Sequence, residues 1–470
     1  MPERSAPSPD REPRSPDAIR VVAQAEGPAR LFELSSGPRT ERYRLPDHDQ
    51  KSYLDFLSRV AGDFGLRNPC SRAPSEPRPD EPALKPLLTR PISPKILYGY
   101  GDPCVVRVQD HGTGRAAWRL ACTSNDAPDA FPLLGSDDLV SWRLEGFVFP
   151  RGQTPSWALT GADRADFWAP ELHLIGGEWW AVFAARRQDR ELAIGLAKGP
   201  SPDGPFTPVA EPLLGGGVID PHLFVSGDLR LLYWKEDTNG VWPRRLTALL
   251  AEDPGLADAL FAADEDRRTA AFAAAAWSFA EGCEPMEQFF ILQPLIEAVT
   301  ADYAGFAARL KDRARAHPGE AQALDAVMAA LKTRILAQPL SRDGLRLEGE
   351  PKVVLENDQA WEAHLIEGVW VTEQAGRFYL FYSGNDFSTP HYAIGAAVAD
   401  HPLGPWRKTG PLLRSCRDWT GPGHASVAPG PDGEPWLFLH AFEPGHVGYK
   451  AFRALLGARL QFSPDGPSAG

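Results

Sequence analysis

Short apolar and aromatic runs fill two long stretches of the chain, from Lys95 to Leu246 and from Leu336 to Phe462. The runs are rich in Val, Phe, Tyr and Trp, and Gly, Pro or Asp interrupts them about every ten residues. Short strands at this spacing are typical of an all-β domain. The pattern therefore predicts one β domain over residues 96–470 that is interrupted once.

The interruption has a different pattern. Residues 246–333 are rich in Ala, Leu, Glu and Arg, and their apolar residues recur at helical spacing. We predict a helical insertion of about three helices. Its apolar surface exceeds what one small bundle easily hides. We therefore expect it to dock, either as a lid over the site or, as we favour, as the contact of a homo-oligomer.

Residues 1–95 have the composition of an N-terminal extension. The first twenty residues contain five prolines, and eight more lie from Pro69 to Pro94. Proline at this density disfavours regular structure. One short helix is predicted between these segments, ending near Gly65. The extension is thus expected to be partly disordered and mostly irregular.

An internal repeat indicates how the strands are organised. GGEWWAVFAA at residues 176–185 parallels AGRFYLFYSG at residues 375–384. AIGLAKG and AIGAAVA follow these segments at the same distance and lead to the same Gly-Pro-aromatic edge. Each repeat predicts a four-stranded antiparallel unit, as in a propeller blade.

Five segments have the pattern of the innermost strand of such a unit: GDPCVVRV, WAPELHLI, IDPHLFVS, EGVWVTEQ and GHASVAPG. Once the insertion is set aside, their spacing corresponds to five units of about 58 residues. The sequence therefore predicts a five-bladed β-propeller with the insertion in its third blade. One polar residue near the start of each strand should then face the axis: Asp102, Glu171, Asp220, Glu367 and His424.

Charge and composition narrow the functional classes. The chain has 49 Lys and Arg against 62 Asp and Glu, a net charge of −13. We therefore expect no nucleic-acid or anionic membrane partner. The five cysteines are scattered, and no stretch has the length of an apolar membrane span. Reduced thiols and a cytoplasmic location are expected.

Several carboxylates on one axis suit glycosidic bond cleavage. This reaction needs a carboxylic acid to protonate the leaving oxygen and a second carboxylate to activate water from the opposite face. It needs no cofactor. Motifs of nucleotide binding, serine hydrolases or zinc proteases are missing from the sequence.

The axial segments resemble the blade motifs of glycoside hydrolase family 43, in order: GDP (101–103), WAPEL (168–172), IDPHLF (219–224), EGVWV (367–371) and GPGHASV (421–427). SDDLVSW, LLYWKEDTN and AFRALLGARLQFSPDG agree as well. The resemblance implies that Asp102 is the general base, Glu367 the general acid, and Asp220 the residue that tunes and orients the acid. Either Asp-Pro pair alone would also fit a routine turn.

The residues themselves agree with these roles. Glu367 lies in an apolar run, where burial and the negative charge of Asp220 should raise its pKa and keep it protonated. Asp102 would stay ionised. Glu171 is better interpreted as a pore residue that is hydrogen-bonded to its neighbours.

Other residues near the axis have two interpretations each. Phe167, Trp168 and Trp370 could stack on sugar rings, but packing between blades is favoured for any one of them. His424 resembles the family's axial histidine, which lies beside a water or a calcium ion, and is nearly as well explained as a core histidine. A metal here would be a structural calcium.

By this resemblance the chain is expected to be an inverting glycoside hydrolase that releases terminal pentoses from plant-type oligosaccharides. An α-L-arabinofuranosidase or a β-xylosidase fits best. Alternatives are an endo-arabinanase, a galactofuranosidase- or galactosidase-type relative, and a non-catalytic sugar-binding propeller.

Overall fold

The computed structural model describes residues 19–27, 29–46, 50–68, 84–109, 116–125, 128–161, 166–448 and 451–470. This part of the chain is mostly β and divides into two compact units. One unit joins Met1–Pro69 to Gly240–Met328, and the other joins Cys70–Asn239 to Ala329–Gly470. The predicted disorder of the first 18 residues lies outside the described residues, as does most of the proline-rich segment.

The first unit contains a small sheet and a set of helices. Its elements are β1 (Arg20–Glu26), β2 (Ala29–Ser36), β3 (Arg39–Leu45), α1 (Gln50–Phe64), α2 (Val241–Glu252), α3 (Leu256–Leu260), α4 (Asp264–Ala280), α5 (Pro285–Ala301), α6 (Tyr303–Ala316) and α7 (Ala321–Ala330). The strands pair in the order β1-β2-β3, all antiparallel. No described helix combines the length and the apolar character needed to cross a membrane.

The N-terminal residues are more regular than the sequence predicts, and they pack against the inserted helices. β1 contacts α4, and α1 contacts α5. The ring of Phe32 on β2 lies 5.0 Å from that of Phe279 on α4. A buried ion pair joins Arg67 Nε to Asp266 Oδ1 at 2.5 Å. The two segments therefore form one discontinuous unit, whereas the sequence indicated an irregular extension and a separate insertion.

This packing removes the reason for expecting an oligomer. The apolar faces of α4 and α5 are covered by residues of the same unit, including Phe32 and Tyr53. Phe272, Phe290 and their apolar neighbours on these helices are buried. The homo-oligomer therefore stays an expectation that the structure of one chain does not test.

The second unit consists of five antiparallel sheets in chain order. Their strands are β5 (Cys104–Gln109), β6 (Ala116–Ala121), β8 (Ala130–Ser136) and β9 (Trp142–Phe149) in the first sheet; β7 (Ser124–Asn125), β10 (Asp166–Ile175), β11 (Glu178–Arg186), β12 (Leu192–Gly199) and β13 (Thr207–Pro208) in the second; β14 (Val218–Ser226), β15 (Leu229–Glu236), β16 (Arg334–Pro339) and β17 (Lys352–Glu356) in the third; β18 (Ile366–Gln374), β19 (Arg377–Gly384), β20 (Ala393–Ala399) and β21 (Arg407–Leu413) in the fourth; and β22 (Thr420–Pro429), β23 (Pro435–Phe442), β24 (Arg453–Ser463) and β25 (Gly466–Ala469) in the fifth.

Two further pairings complete the strand order. β7 pairs with β10 at the edge of the second sheet. The short strand β4 (Lys85–Leu88) pairs with β24, so residues before the first sheet join the fifth. The helices α2 to α7 lie between β15 and β16, which are paired neighbours in the third sheet. The insertion therefore interrupts the third sheet, as the sequence predicts.

Strands β5, β10, β14, β18 and β22, called the first strands from here on, are the five segments that the sequence predicts as innermost strands. These strands contact one another in succession, and β22 contacts β5. Four inter-sheet hydrogen bonds use side chains at one repeated position: Leu172 N–H to Cys104 Sγ, Leu223 N–H to Glu171 Oε2, Val371 N–H to His222 Nε2, and Val105 N–H to Ser426 Oγ. The last bond connects the fifth sheet back to the first.

Large side chains fill the space between successive sheets. Phe131 and Phe149 of the first sheet meet Phe167 and Phe183 of the second at ring distances of 5.1–6.5 Å. Small residues elsewhere let the sheets approach, since every position of the Ala- and Gly-rich strand β20 is buried. This packing fixes where the first strands begin, and the candidate site lies there.

Candidate active site

A left-handed residue lies near the beginning of each of the five first strands, just before β5 and within the other four. Asp102, Asp220 and His424 have φ angles of 51°, 55° and 46°. Ala169 and Gly368 take the same conformation in the other two strands. Residues other than glycine adopt such angles only when the surrounding structure holds them, and such strain is concentrated at functional sites. Asp102, Asp220 and His424 are thus equivalent by position.

The other two polar residues of the sequence pattern are not equivalent to these three. Glu367 precedes the left-handed residue of its strand by one position, and Glu171 follows that of its strand by two. The sequence pattern therefore identified the right strands, but Glu171 and Glu367 do not occupy the position that Asp102, Asp220 and His424 share.

The carboxylate of Asp102 is surrounded by donors and positive charge. Arg453 Nη1 donates to Oδ1 at 2.9 Å, and Thr123 Oγ1 donates to Oδ2. The Nδ1 atoms of His424 and His440 lie 3.4 Å and 3.5 Å from Oδ1. Burial alone would raise the pKa of Asp102, but the charge of Arg453, the two histidines and the Thr123 bond hold it well below its usual range. Asp102 is ionised.

Glycine makes the approach of Arg453 possible. A Cβ atom at Gly101 would lie 1.8 Å from Arg453 Cζ. Any larger residue at this position would displace the guanidinium from Asp102.

The carboxyl group of Glu367 has the opposite environment. It is 6% exposed, and burial together with the negative charge of Asp220 raises its pKa despite the nearby Lys235. Lys235 Nζ donates to Oε2 at 3.1 Å, and the Tyr392 hydroxyl donates to Oε1 at 2.9 Å. Burial also raises the pKa of Asp220, whose Oδ2 accepts the N–H of Gly368 at 2.8 Å. Asp220 is thereby fixed beside the backbone of Glu367.

Glu171 lies among histidines rather than at the site of the other carboxyl groups. Its oxygens accept from His222 Nδ1 at 3.0 Å and lie 2.8 Å from His173 Nε2. Burial would raise its pKa, but the two histidines lower it to about 2. With the Leu223 N–H, these contacts join the second sheet to the third. This arrangement agrees with the interpretation of Glu171 as a hydrogen-bonded pore residue.

Glu171 gives a prediction for stability. We expect Glu171→Ala to lower the free energy of unfolding by about 3 kcal/mol at pH 7, because it leaves buried donors without an acceptor. The pKa of about 2 is below the ~4.3 of an unfolded glutamate, so this stability is present above that value and is lost as the pH falls towards 2. Urea unfolding should show that the difference in the free energy of unfolding between Glu171→Ala and the wild type decreases as the pH falls from ~4.3 to about 2.

A matched control is available in Glu350, which is exposed in the loop before β17. Glu350→Ala should change stability by less than about 0.5 kcal/mol at any of these pH values. If the stability difference between Glu171→Ala and the wild type did not change with pH, Glu171 would not be ionised in the folded protein.

The histidine cluster does not fit a metal site. Glu171, His173 and His222 bring potential ligand atoms within 4.8 Å of one another. However, the N–H of Val371 donates to His222 Nε2, so the proton of this ring is on Nδ1, the atom that would have to face the metal. The cluster is therefore held by hydrogen bonds.

The donor set around His424 does not fit a calcium cage either. Calcium takes six to eight oxygen ligands. Here the nearest carboxylate, Asp102, is engaged by Arg453 and Thr123, while Asp220 accepts the Gly368 N–H. The backbone N–H of His424 donates to Ser383 Oγ at 2.7 Å. His424 is thus explained by its contacts with protein groups.

The three aromatic residues predicted near the axis differ in exposure. Phe167 is 2% exposed and packs against Phe131, and Trp370 is 8% exposed with its ring against His222. Both rings pack between the sheets, which favours the packing interpretation over stacking on a sugar. Trp168 is partly exposed, and its Nε1 donates to Asn125 Oδ1 at 2.6 Å. It remains a candidate for sugar stacking.

Five residues that contact or surround the two central carboxyl groups are missing from the sequence prediction: Thr123, Lys235, Tyr392, His440 and Arg453. A signal existed for Lys235 and His440, because each is a polar residue inside an apolar strand, and such residues need a buried partner. The other three lie in segments with no such contrast.

One carboxyl group whose pKa is raised by burial and another whose pKa is lowered by an arginine are the pair that glycosidic bond cleavage requires. The model of glycosyl hydrolases family 43 matches residues 90–259 and 323–467. The chain belongs to this family and is a glycoside hydrolase. The gap in the match, residues 260–322, falls within the first unit.

Individual relatives are distant. A xylosidase/arabinosidase 43A of Humicola insolens is 25% identical over 300 residues, which are 64% of this chain and 73% of the relative. A xylosidase/arabinosidase of Bacteroides ovatus is 22% identical over 364 residues, 74% of this chain and 87% of the relative. The crystal structure of a thermostable family-43 glycoside hydrolase is 23% identical with a TM-score of 0.54, covering 84% of this chain and 96% of that chain. This last likeness shows the shared fold.

Proposed function

We propose that the protein is an inverting exo-glycosidase that releases terminal α-L-arabinofuranose or β-xylose from oligosaccharides at the axis of a five-bladed β-propeller. The five successive sheets and the bond from Ser426 back to Val105 support the propeller. The pentose rests on the names of the two relatives, which are xylosidase/arabinosidases.

Asp102 is the general base in this proposal. A base that activates water must be ionised, and Arg453 ensures this. Because Arg453 and Thr123 donate to the two carboxylate oxygens, the orientation of Asp102 is fixed before substrate binds.

Glu367 is the general acid, and Asp220 tunes it. The observation that carries the proposal is that Glu367 is buried beside Asp220, so its pKa is raised, while that of Asp102 is lowered. Two carboxyl groups whose environments separate their pKa values in this way are suited to acid and base roles.

The reaction follows from these roles. Asp102 takes a proton from a water molecule, whose oxygen forms a bond to the anomeric carbon. The bond from that carbon to the leaving oxygen breaks, and Glu367 gives its proton to that oxygen. Water attacks from the face opposite the leaving group, so the configuration is inverted. Solvent then removes the proton from Asp102 and returns one to Glu367.

A panel of aryl glycosides tests the substrate class. We expect hydrolysis of an aryl α-L-arabinofuranoside or β-xylopyranoside at least tenfold faster than of an aryl galactofuranoside, since one methylene-sized difference in a fitted pocket is worth about 10-fold or more. Preference for the galactofuranoside would favour that alternative. Activity on arabinan or xylan with none on aryl monosaccharides would favour endo action, and no activity on any of them would favour a binding module.

The stereochemistry is a separate prediction. Proton NMR of the first product should show the anomer opposite to that of the substrate, before mutarotation mixes the two. A retained configuration would contradict the assignment of Asp102 as a base that acts through water.

A further inference from the structure

A lysine is buried beside the acid. Lys235 lies on β15, paired with Ile219 of β14 and Ile335 of β16, and it is fully buried. A buried ammonium is costly unless it is paired and hydrogen-bonded. Its Nζ donates to Asn239 Oδ1 at 2.6 Å and to Glu367 Oε2 at 3.1 Å. The only carboxylate within hydrogen-bonding distance of Nζ among the described residues is therefore Glu367.

A tyrosine binds the other oxygen of the same carboxyl group. Tyr392 is 1% exposed, and its hydroxyl donates to Glu367 Oε1 at 2.9 Å. Burial and the charge of Glu367 raise the pKa of Tyr392 well above its usual value, so the phenol keeps its proton. A Cβ at Gly423 would lie 1.8 Å from Tyr392 Cε1, so this approach depends on glycine.

The charges around the acid are unbalanced without the lysine. Glu367 faces Asp220, Lys235 and Tyr392, and Asp220 faces His424 and Asp102 beyond it. When Glu367 has given up its proton, two buried carboxylates are adjacent. Lys235 is the positive group beside them, and its charge acts on both.

We propose that Lys235 is a positioning residue for the acid step, which holds Glu367 between itself and Tyr392 and neutralises the negative charge left on Glu367 when its proton passes to the leaving oxygen. This inference rests on the proposed role of Glu367. It explains why a charged side chain is retained in an apolar strand. Stabilisation of charge that develops during the reaction, by groups that are already in place, is a large term in catalysis.

The leaving group separates this role from a structural one. A poor leaving group, such as an alkyl alcohol, needs the proton of Glu367, whereas dinitrophenolate does not. Lys235→Met should lower kcat/KM for an alkyl or natural glycoside by about 10- to 100-fold, and that for the dinitrophenyl glycoside by less than about 3-fold.

The pH profile gives a second readout. Lys235 and Tyr392 both favour the ionised form of Glu367, so the removal of either raises the pKa of Glu367. The alkaline limb of kcat/KM should therefore move to higher pH in Lys235→Met and in Tyr392→Phe. Lys235→Arg keeps the positive charge, so the alkaline limb of its kcat/KM profile should stay near the pH of the wild-type limb.

The fourth sheet offers a matched control. There Lys408 Nζ lies 2.7 Å from Glu362 Oε1, and the Tyr382 hydroxyl donates to the same atom at 2.6 Å. Lys408→Met thus removes a buried lysine from the same trio of residue types outside the site. Lys408→Met should lower the melting temperature as Lys235→Met does. It should leave the alkaline limb of kcat/KM and the dependence of kcat/KM on the leaving group unchanged.

Three outcomes would overturn parts of this account. Equal losses on both substrates in Lys235→Met, with an unmoved limb, would make Lys235 structural. If Lys235→Met did not fold, an unmoved limb in Tyr392→Phe would contradict the two-donor arrangement. If Glu367→Gln itself lost both substrates equally, the acid assignment would be wrong, and the proposed function rather than the role of Lys235 would have failed.

Discussion

Asp102→Asn is expected to lose hydrolysis of every substrate, by about 10⁴-fold or more in kcat/KM. The amide has nearly the same shape as the carboxylate, and its oxygen can still accept the bond from Arg453, while its NH2 group can donate to Thr123 Oγ1. It cannot take a proton from water. Steady-state kinetics on the aryl glycoside and on its dinitrophenyl analogue would measure the loss on both.

Glu367→Gln is the variant to compare with Asp102→Asn. Its kcat/KM should fall strongly for substrates with poor leaving groups and only slightly for the dinitrophenyl glycoside, because only the former need protonation. Equal loss of the activated substrate in both variants would contradict the assignment of acid and base.

The second large effect concerns the discontinuous unit. Deletion of Gly240–Met328 alone should give mostly insoluble protein, because it uncovers the sides of Phe32 and Tyr53 that pack on α4 and α5. Deletion of Met1–Pro69 together with Gly240–Met328 should restore soluble protein. β15 and β16 are paired, with Lys235 opposite Ile335, so a short Gly/Ser linker can join the remaining segments.

The measurements are soluble yield, circular dichroism and hydrolysis of a small aryl glycoside. A single deletion as soluble as the double one would mean that β1–β3 and α1 form a domain by themselves. Light scattering on the full chain and on the double deletion also tests the homo-oligomer. A monomeric full chain would remove that expectation.

The sequence predicts the β strands well, because their signal is local. Each of the five first strands begins at a motif such as IDPHLF or EGVWV, and the interruption of the third sheet follows from the change to helical spacing. The register within those strands is not predicted. Glu171 stands two positions after the left-handed Ala169 and Glu367 one position before the left-handed Gly368, and no local pattern in the sequence records these offsets.

The environment of the site was only partly predictable. A raised pKa at Glu367 follows from its apolar neighbours along the chain. Arg453 reaches Asp102 from the fifth sheet, and Tyr392 reaches Glu367 from the residue before β20, at separations of 351 and 25 residues that no local pattern records. Strands β1 to β3 were missed as well, because their alternation is weak and their partners lie far along the chain.

The order of synthesis has a consequence for the discontinuous unit. Residues up to Pro69 leave the ribosome first, but the helices that cover them include residues up to Met328. Domains generally fold as units during translation, at about 5–20 residues per second. The N-terminal segment must therefore wait for about 15–50 seconds with its apolar face uncovered. During that time the strands of two sheets and half of a third emerge, so nascent chains of this protein should depend on chaperones more than a continuous domain of the same size.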